Sequence, residues 1–226
     1  MSGPPAPRGF IFDVDGTLVD NMAYHQRAFD AFLERHGLPP FSPEMRARTD
    51  GQRNRDIFPV LFGRELGEDE VRRFIDDKEG GYRELSRGRL APHRGLVALL
   101  DAIDRRGLPV ALATSAPAEN VEHTLAEIGL RGRLRLVARS DQVPRGKPHP
   151  DVFLAAAALI GVAPGRCIAF EDAPMGILAA KAAGMTCVAL TTNFSPETLA
   201  AHEARPDYAV PDFEAYLTGP GAWLND

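Results

Sequence analysis

Two acids two residues apart, Asp13 and Asp15, close a short apolar run, Gly9-Phe-Ile-Phe12, and are followed at once by Gly16 and Thr17. If the backbone is still extended at the pair, both carboxylates point to one side, and Gly16 lets the chain turn sharply away. Two carboxylates at one strand tip repel each other and need a cation between them or a proton on one. That suits nucleophilic attack by one acid with acid–base help from the other. The same residues also read as a simple Asp-Gly turn. A calcium-binding EF-hand loop is excluded, because Leu18 stands where its turn glycine belongs and Tyr24 where its bidentate glutamate belongs.

Three further groups could complete such a site. Thr114 and Ser115 end a second apolar run and precede a helix-forming stretch. Hydroxyls and N–H groups there can hold phosphate oxygens, or simply cap the helix. Lys147 is one of only three lysines, with Lys78 and Lys181, among 26 basic residues. A lysine against that arginine bias, flanked by rigid prolines, points to a compact ammonium that neutralises phosphate and keeps Asp13 ionised; the alternative is a solvated loop lysine. His149, between prolines, reads as a loop or capping residue. Glu171 and Asp172 follow Cys-Ile-Ala-Phe. Acids at the end of a buried strand can complete a hard oxygen site that, with Asp13, suits Mg²⁺, or can cap the following helix.

The elements that must position these residues follow from periodicity. Apolar strands are expected at 9–13, 109–114, 134–138, 167–171, 186–190 and 208–210. Helices are expected at 95–106, 118–128, 151–160, 176–183 and 213–217. Strands without a polar face, alternating with helices, indicate an α/β fold: a doubly wound parallel sheet covered on both sides. Residues 20–88 differ. Helices are expected at 21–36, with Met22, Phe29, Phe32 and Leu33 on one face, then from the Ser42-Pro43-Glu44 start, at 56–62 and at 68–86. The expected organisation is therefore a doubly wound sheet core of residues 1–19 and 89–226, with an all-helical stretch of residues 20–88 inserted after the first strand. In such sheets ligands bind at the carboxyl ends of the strands, where Asp13, Thr114 and Glu171-Asp172 all fall.

Composition bounds the rest. The 226 residues suffice for one large domain or a core with a small insert, and 44% hydrophobic with 25% charged residues marks a globular chain. A formal charge of −5 disfavours nucleic acid and anionic membranes as partners. It also means that a phosphate site must find its positive charge locally. Cys167 and Cys187 lie in apolar runs and read as buried thiols, which fits a cytoplasmic location. No apolar run approaches the ~18 residues of a membrane span. The start, Met1 to Arg8, lacks the apolar core of a signal peptide and reads as a frayed, proline-rich end. Oligomeric state has no signature here beyond Trp223 and the C-terminal tail, which could pack on a neighbour.

Taken together and in this order, Asp13-Val-Asp-Gly-Thr-Leu18, Thr114, Lys147 in Gly-Lys-Pro, and Glu171-Asp172 resemble the four motifs of the haloacid dehalogenase superfamily. The resemblance covers nearly the whole chain. It implies an Mg²⁺-dependent phosphomonoester hydrolase acting on a small, sugar-like phosphate, with Asp13 as nucleophile and Asp15 as acid and base. It also implies metal contacts from Asp13, the Asp15 backbone carbonyl and Asp172, with Glu171 supporting them, a Rossmann-like catalytic core in residues 1–19 and 89–226, and residues 20–88 as an all-helical cap that closes over the site. An acid at position 15 argues against dehalogenation. The subgroup it most resembles holds β-phosphoglucomutase-like enzymes and sugar-phosphate phosphatases.

Asp20-Asn-Met-Ala-Tyr-His25 is similar to the mutase segment in which a histidine assists proton transfer; by spacing alone His25 is more often a satisfied helix residue. Two departures favour hydrolysis over the phosphohexomutase alternative. Pro117 stands where the mutase has a phosphate-holding lysine, and Asn54 where it has a cap arginine, although Arg53 and Arg55 flank it. Gly51 to Arg55 is then the expected substrate-reading loop. A phospho-receiver module, which also uses acids, hydroxyl, lysine and Mg²⁺, is disfavoured because acids reappear after Lys147 and because residues 20–88 intervene.

Overall fold

The structure, a computed structural model, describes residues 7–49, 51–201, 203 and 205–225. The expected frayed start, residues 1–6, lies outside them. Six strands form one parallel sheet: β1 (Gly9–Phe12), β2 (Val110–Thr114), β3 (Val137–Arg139), β4 (Cys167–Glu171), β5 (Thr186–Leu190) and β6 (Tyr208–Val210). Their order across the sheet is β3-β2-β1-β4-β5-β6. The order reverses between β1 and β4, which opens a crevice at their carboxyl ends. Register brings the motif ends together there: Phe12 pairs with Leu112 on one side and Phe170 on the other.

The strands are apolar on both faces because both faces are covered. Phe10, Phe12, Phe170, Val188 and Leu190 point one way, into a layer with α5 (Leu96–Arg105), α6 (Ala118–Glu127) and α10 (Phe213–Thr218). Ile11, Ala113, Ala169, Cys187 and Ala189 point the other way, against α7 (Asp151–Leu159), α8 (Pro174–Ala182) and α9 (Pro196–Ala201). The first layer is aromatic: Phe12 stacks on Phe170 at 4.8 Å, and Tyr216 meets Phe170 edge-on at 4.8 Å. Small residues fill the second, so α7 and α8 lie close to the sheet. Cys167 and Cys187 are buried free thiols, as expected. Trp223 packs on Phe10 at 6.3 Å and under the Arg106 guanidinium, within its own chain.

Between β1 and α5 run α1 (Met22–Arg35), α2 (Pro43–Thr49), α3 (Asn54–Phe62) and α4 (Glu68–Ser86). They bury a phenylalanine cluster of their own, Phe32 and Phe58 with Phe62 and Phe74 packed against them. The Ser42 hydroxyl accepts the Met45 N–H at 3.1 Å, so the Ser-Pro-Glu start of α2 works as a cap. On α1, Phe32 and Leu33 enter the cluster and Phe29 packs against it, while Met22 and Phe29 also line a cavity.

Two expectations need correction. The edge strand β3 begins at Val137 and not at Leu134, because Leu134 closes a tight turn back to the Leu130 carbonyl and buries its side chain from there. And α9 was not expected, although Ser195-Pro196-Glu197 repeats the start of α2 and the Ser195 hydroxyl accepts the Thr198 N–H at 3.2 Å.

Phe170 touches Phe12, Phe213 and Tyr216 at the centre of the aromatic layer and is fully buried. Phe170→Ala should cost about 3–5 kcal/mol of unfolding free energy, measured by urea denaturation. A loss below about 1 kcal/mol would mean that this layer is not the centre of stability.

Candidate active site

Asp13 follows β1 immediately, and its N–H still donates to the Phe170 carbonyl at 3.0 Å, so the backbone remains extended for one residue beyond the strand. Its Oδ1 accepts from Lys147 Nζ at 2.6 Å, and the same ammonium donates to Glu171 Oε1 at 2.6 Å. Asp172 lies beside them, accepting from Asn193 Nδ2 at 2.8 Å and from the Thr17 hydroxyl at 3.3 Å. Carboxylate oxygens of Asp13, Glu171 and Asp172 lie within 4.8 Å of one another, all buried. Gly16 makes room for this. Its φ is +79°, and a Cβ there would stand 2.1 Å from Asp172 Oδ2.

Three buried carboxylates therefore face one ammonium. Burial pushes Asp13 up to about 8, against the pull of Lys147 and with a further push from Glu171. Asp172 is raised well above its usual range, first by burial and then by the charges of Glu171 and Asp13. Lys147 is raised, the two carboxylates outweighing the cost of burial. A divalent cation would supply the missing charge. The residues fit one: Asp13 keeps Oδ2 unspent, and Asp172 has only neutral donors on its oxygens. Glu171 is already taken up, by Lys147 on Oε1 and by the N–H groups of Asp172 and Ala173 on Oε2 at 2.8 and 2.9 Å. It would serve by charge and by fixing the turn that presents Asp172.

The Asp15 carboxylate turns away from this cluster. Its Oδ1 accepts from Asn21 Nδ2 at 2.6 Å and stands 3.3 Å from His25 Nε2, out of line for a well-formed hydrogen bond. Burial would raise Asp15, but His25, Asn21 and Lys78 together hold it below its usual range. His25 is buried, stacked on Tyr82 with ring centroids 3.7 Å apart. Lys78 Nζ lies 2.9 Å from His25 Nδ1. An ammonium can only donate, so Nδ1 accepts and the imidazole proton sits on Nε2, facing Asp15.

Asp13, Asp15, His25, Gly51, Thr114, Ser115, Glu171 and Asp172 all line one cavity of about 390 Å³, a size usual for small-molecule sites. Thr114 and Ser115 are not helix caps, since Pro117 precedes α6 with no side-chain bond. Instead Thr114 Oγ1 accepts the Ala116 N–H at 3.0 Å, and the Ser115 hydroxyl donates to the Gly51 carbonyl at 2.7 Å, tying the inserted helices to the sheet. Lys147 stands behind Asp13 and does not line the cavity.

Arg53 and Arg55 are not brought to the cavity. Arg53 pairs with Asp56 at 2.6 Å and donates to the Ser140 carbonyl at 3.0 Å. It lies so close to Gly146 that a Cβ there would meet its Nε at 2.8 Å. Arg55 pairs with Glu68 on the surface at 2.6 Å.

Sequence reasoning missed Asn21, Lys78, Glu79 and Asn193. Lys78 had a signal: it shares the rarity that singled out Lys147. Glu79 and Asn193 had none, because Asn54, Asn120 and Asp172 lie far along the chain, whereas Asn21 lies only six residues from Asp15 and was within local reach.

Residues 7–184 match the family model described as haloacid dehalogenase-like hydrolase. Validoxylamine A 7'-phosphate phosphatase of Streptomyces hygroscopicus subsp. limoneus is 32% identical over 194 residues, 84% of this chain and 88% of that protein. Hexitol phosphatase A of Escherichia coli is 33% identical over 193 residues, 84% of this chain and 85% of that protein. Among solved structures, a β-phosphoglucomutase from Clostridium difficile superposes with a TM-score of 0.82 at 23% identity, over 97% of each chain, a likeness of fold.

The charge imbalance has a measurable consequence. The Asp13 pKa is raised in the folded protein, so between the ordinary carboxylate range near 4 and about 8 the native state binds more protons than the unfolded chain. Without metal, the stability contributed by protonated Asp13 is lost as pH rises through that window. Adding Mg²⁺ should therefore raise Tm more at pH 8 than at pH 6, and Asp13→Asn should reduce the difference, the part due to Asp172 remaining. Equal Mg²⁺ shifts at both pH values in the wild type would contradict this.

Proposed function

The chain belongs to the haloacid dehalogenase-like hydrolase family, and from that premise we propose that it is an Mg²⁺-dependent phosphomonoester hydrolase working through an aspartyl phosphate on Asp13. The observation that carries this is the Asp13–Lys147–Glu171 ion pair beside Asp172, at the mouth of a cavity of ligand size. The names of the similar proteins support a phosphate ester as substrate, and a small polyhydroxylated one.

Asp13 and Asp172, with Glu171 behind them, would hold the ion, as would the Asp15 backbone carbonyl. When bound, the ion supplies the positive charge that lets a phosphate approach the ionised Asp13. Lys147 orients Asp13 from behind and keeps one oxygen occupied, leaving the other to attack phosphorus in line. Thr114, Ser115 and loop N–H groups receive the phosphate oxygens. Asp15 protonates the leaving oxygen as the P–O bond breaks, and the alcohol departs. It then takes a proton from water, which attacks the phosphorus of the aspartyl phosphate and frees Asp13.

Asp15 rests ionised, which suits the second step. The first step needs a proton on it. An arriving phosphate dianion raises Asp15 by like charge, and the proton follows with the substrate. His25, held by Lys78, steadies whichever form is present.

Residues 1–19 and 89–226 act as the catalytic core and 20–88 as its cap. The mutase reading is weaker because Pro117 and Asn54 stand where a second phosphate would need cations. Gly51 and His25 touch substrate from the cap side and Ser115 from the core, whereas Arg53 fastens the cap loop to residues 140–146, just before Lys147. Arg55 contributes at the surface.

Phosphate release from a panel of esters, with Mg²⁺ and with EDTA, tests the assignment. Asp13→Asn should abolish metal-dependent release while Tm is kept, and Asp15→Asn should slow it by about 10²- to 10⁴-fold. Wild-type rates in Asp13→Asn would reject the mechanism. Arg53→Ala should lower kcat/KM by about tenfold or more, by a similar factor for every ester, because it loosens positioning. A KM increase confined to one ester would instead make Arg53 a substrate contact.

A further inference from the structure

The cavity wall contributed by α1, α3 and α4 contains a carboxylate that the mechanism does not use. Glu79 lines the cavity and is only 3% exposed. Its Oε1 accepts from Lys78 Nζ at 2.9 Å and from Asn54 Nδ2 at 2.5 Å, and its Oε2 accepts from Asn120 Nδ2 at 2.6 Å. The Asn120 amide is locked in that sense, because Arg83 donates to its Oδ1 at 2.7 Å. These donors hold Glu79 ionised against its burial, with the Lys78 charge the largest of them.

A carboxylate offers about four acceptor positions. Three are filled, and among the described residues the fourth, on Oε2, has no partner within hydrogen-bond distance; His25 Nδ1 lies 4.0 Å away. In the same cavity His25 Nε2 is buried without an aligned partner. A buried charge with an open acceptor and a buried ring N–H are both costly until something fills them. A neutral donor completes Glu79, and a substrate hydroxyl, which can also accept, is such a group.

The same wall is poor in free positive charge. Among the described residues lining the cavity, its cations are Lys78 and Arg46. Lys78 faces Glu79, and Arg46 faces Asp30 at 3.5 Å while covering the Phe41 ring. A second phosphate lodged there would stand against a buried carboxylate with no spare cation, in a poorly screened space.

We propose that Glu79, held by Asn54, Asn120 and Lys78, sets the substrate class: the monophosphate of a neutral, polyhydroxylated carbon chain, gripped through a hydroxyl, with esters bearing a second anionic group rejected. This rests on the phosphomonoester hydrolase reading above. Glu79 is a specificity residue, remote from the phosphorus that Asp13 attacks.

The test compares three esters on the wild type and on Glu79→Gln, with Mg²⁺ throughout: a six-carbon polyol monophosphate, a hexose bisphosphate, and phenyl phosphate, which lacks hydroxyls. Wild-type kcat/KM should favour the polyol monophosphate over the bisphosphate by at least about 100-fold. Glu79→Gln should lower kcat/KM for the polyol ester by about tenfold or more relative to phenyl phosphate, chiefly through KM, and narrow the gap to the bisphosphate. The proposal is overturned if the wild type turns over polyol monophosphate and bisphosphate equally, or if Glu79→Gln slows all three by one factor, as a purely structural role would. If the variant does not fold, the wild-type ratio decides alone. Turnover of phenyl phosphate with no preference between the other two sinks only the specificity claim. No turnover of any of the three esters sinks the hydrolase reading and this inference together.

Discussion

The crowding of three buried carboxylates around one ammonium is the constraint on which the rest of this structure depends. Lys147 bridges Asp13 and Glu171 at 2.6 Å each, yet one positive charge cannot balance Asp13, Glu171 and Asp172. Such a cluster is costly in a protein interior unless it is paired and hydrogen-bonded. The surroundings supply this support piece by piece. Backbone N–H groups take up Glu171 Oε2, Asn193 and Thr17 take up Asp172, and Gly16 turns the chain where any side chain would strike Asp172. The charge that remains uncompensated is what suits the site to a cation.

A second, separate charge system controls Asp15. Its partners Asn21 and His25, with Tyr82 and Lys78 behind them, come from the inserted helices or from the chain leading into them. Asp13 therefore belongs to the sheet side alone, whereas Asp15 is set only when the helices are in place. Arg53 and Ser115 are among the direct ties across that seam, with Glu79 and Arg83 both bound to Asn120, and Arg53 lands on the segment that carries Lys147. Closing the helices over the sheet thus bears on both acids at once.

How much of this was legible in the sequence depends on where each signal lies. Asp13, Thr114, Glu171 and Asp172 each follow an apolar strand, and a strand tip announces itself locally, so the parallel sheet and its row of end residues were readable. Lys147 was readable because lysine is rare here, and the same argument applied to Lys78 would have found it. The edge strand β3 was misplaced because Leu134 is apolar and buried for a reason other than strand pairing. Glu79 was beyond reach: its meaning comes from Asn54 and Asn120, 25 residues before it and 41 after it, and no local pattern marks such a meeting. Arginines 53 and 55 misled for the converse reason. A basic loop near a phosphate site suggests an anion contact, yet here both are spent on acids and carbonyls of their own chain.

The central claim is that phosphorus passes through Asp13 before it reaches water. The steric course at phosphorus tests this most directly, using an ester whose phosphoryl group is made chiral with sulfur and oxygen isotopes and hydrolysed in labelled water. Two successive in-line displacements, the first by Asp13 and the second by water, should give net retention of configuration. Net inversion would mean that water attacks the ester directly and that Asp13 serves only as a ligand or base.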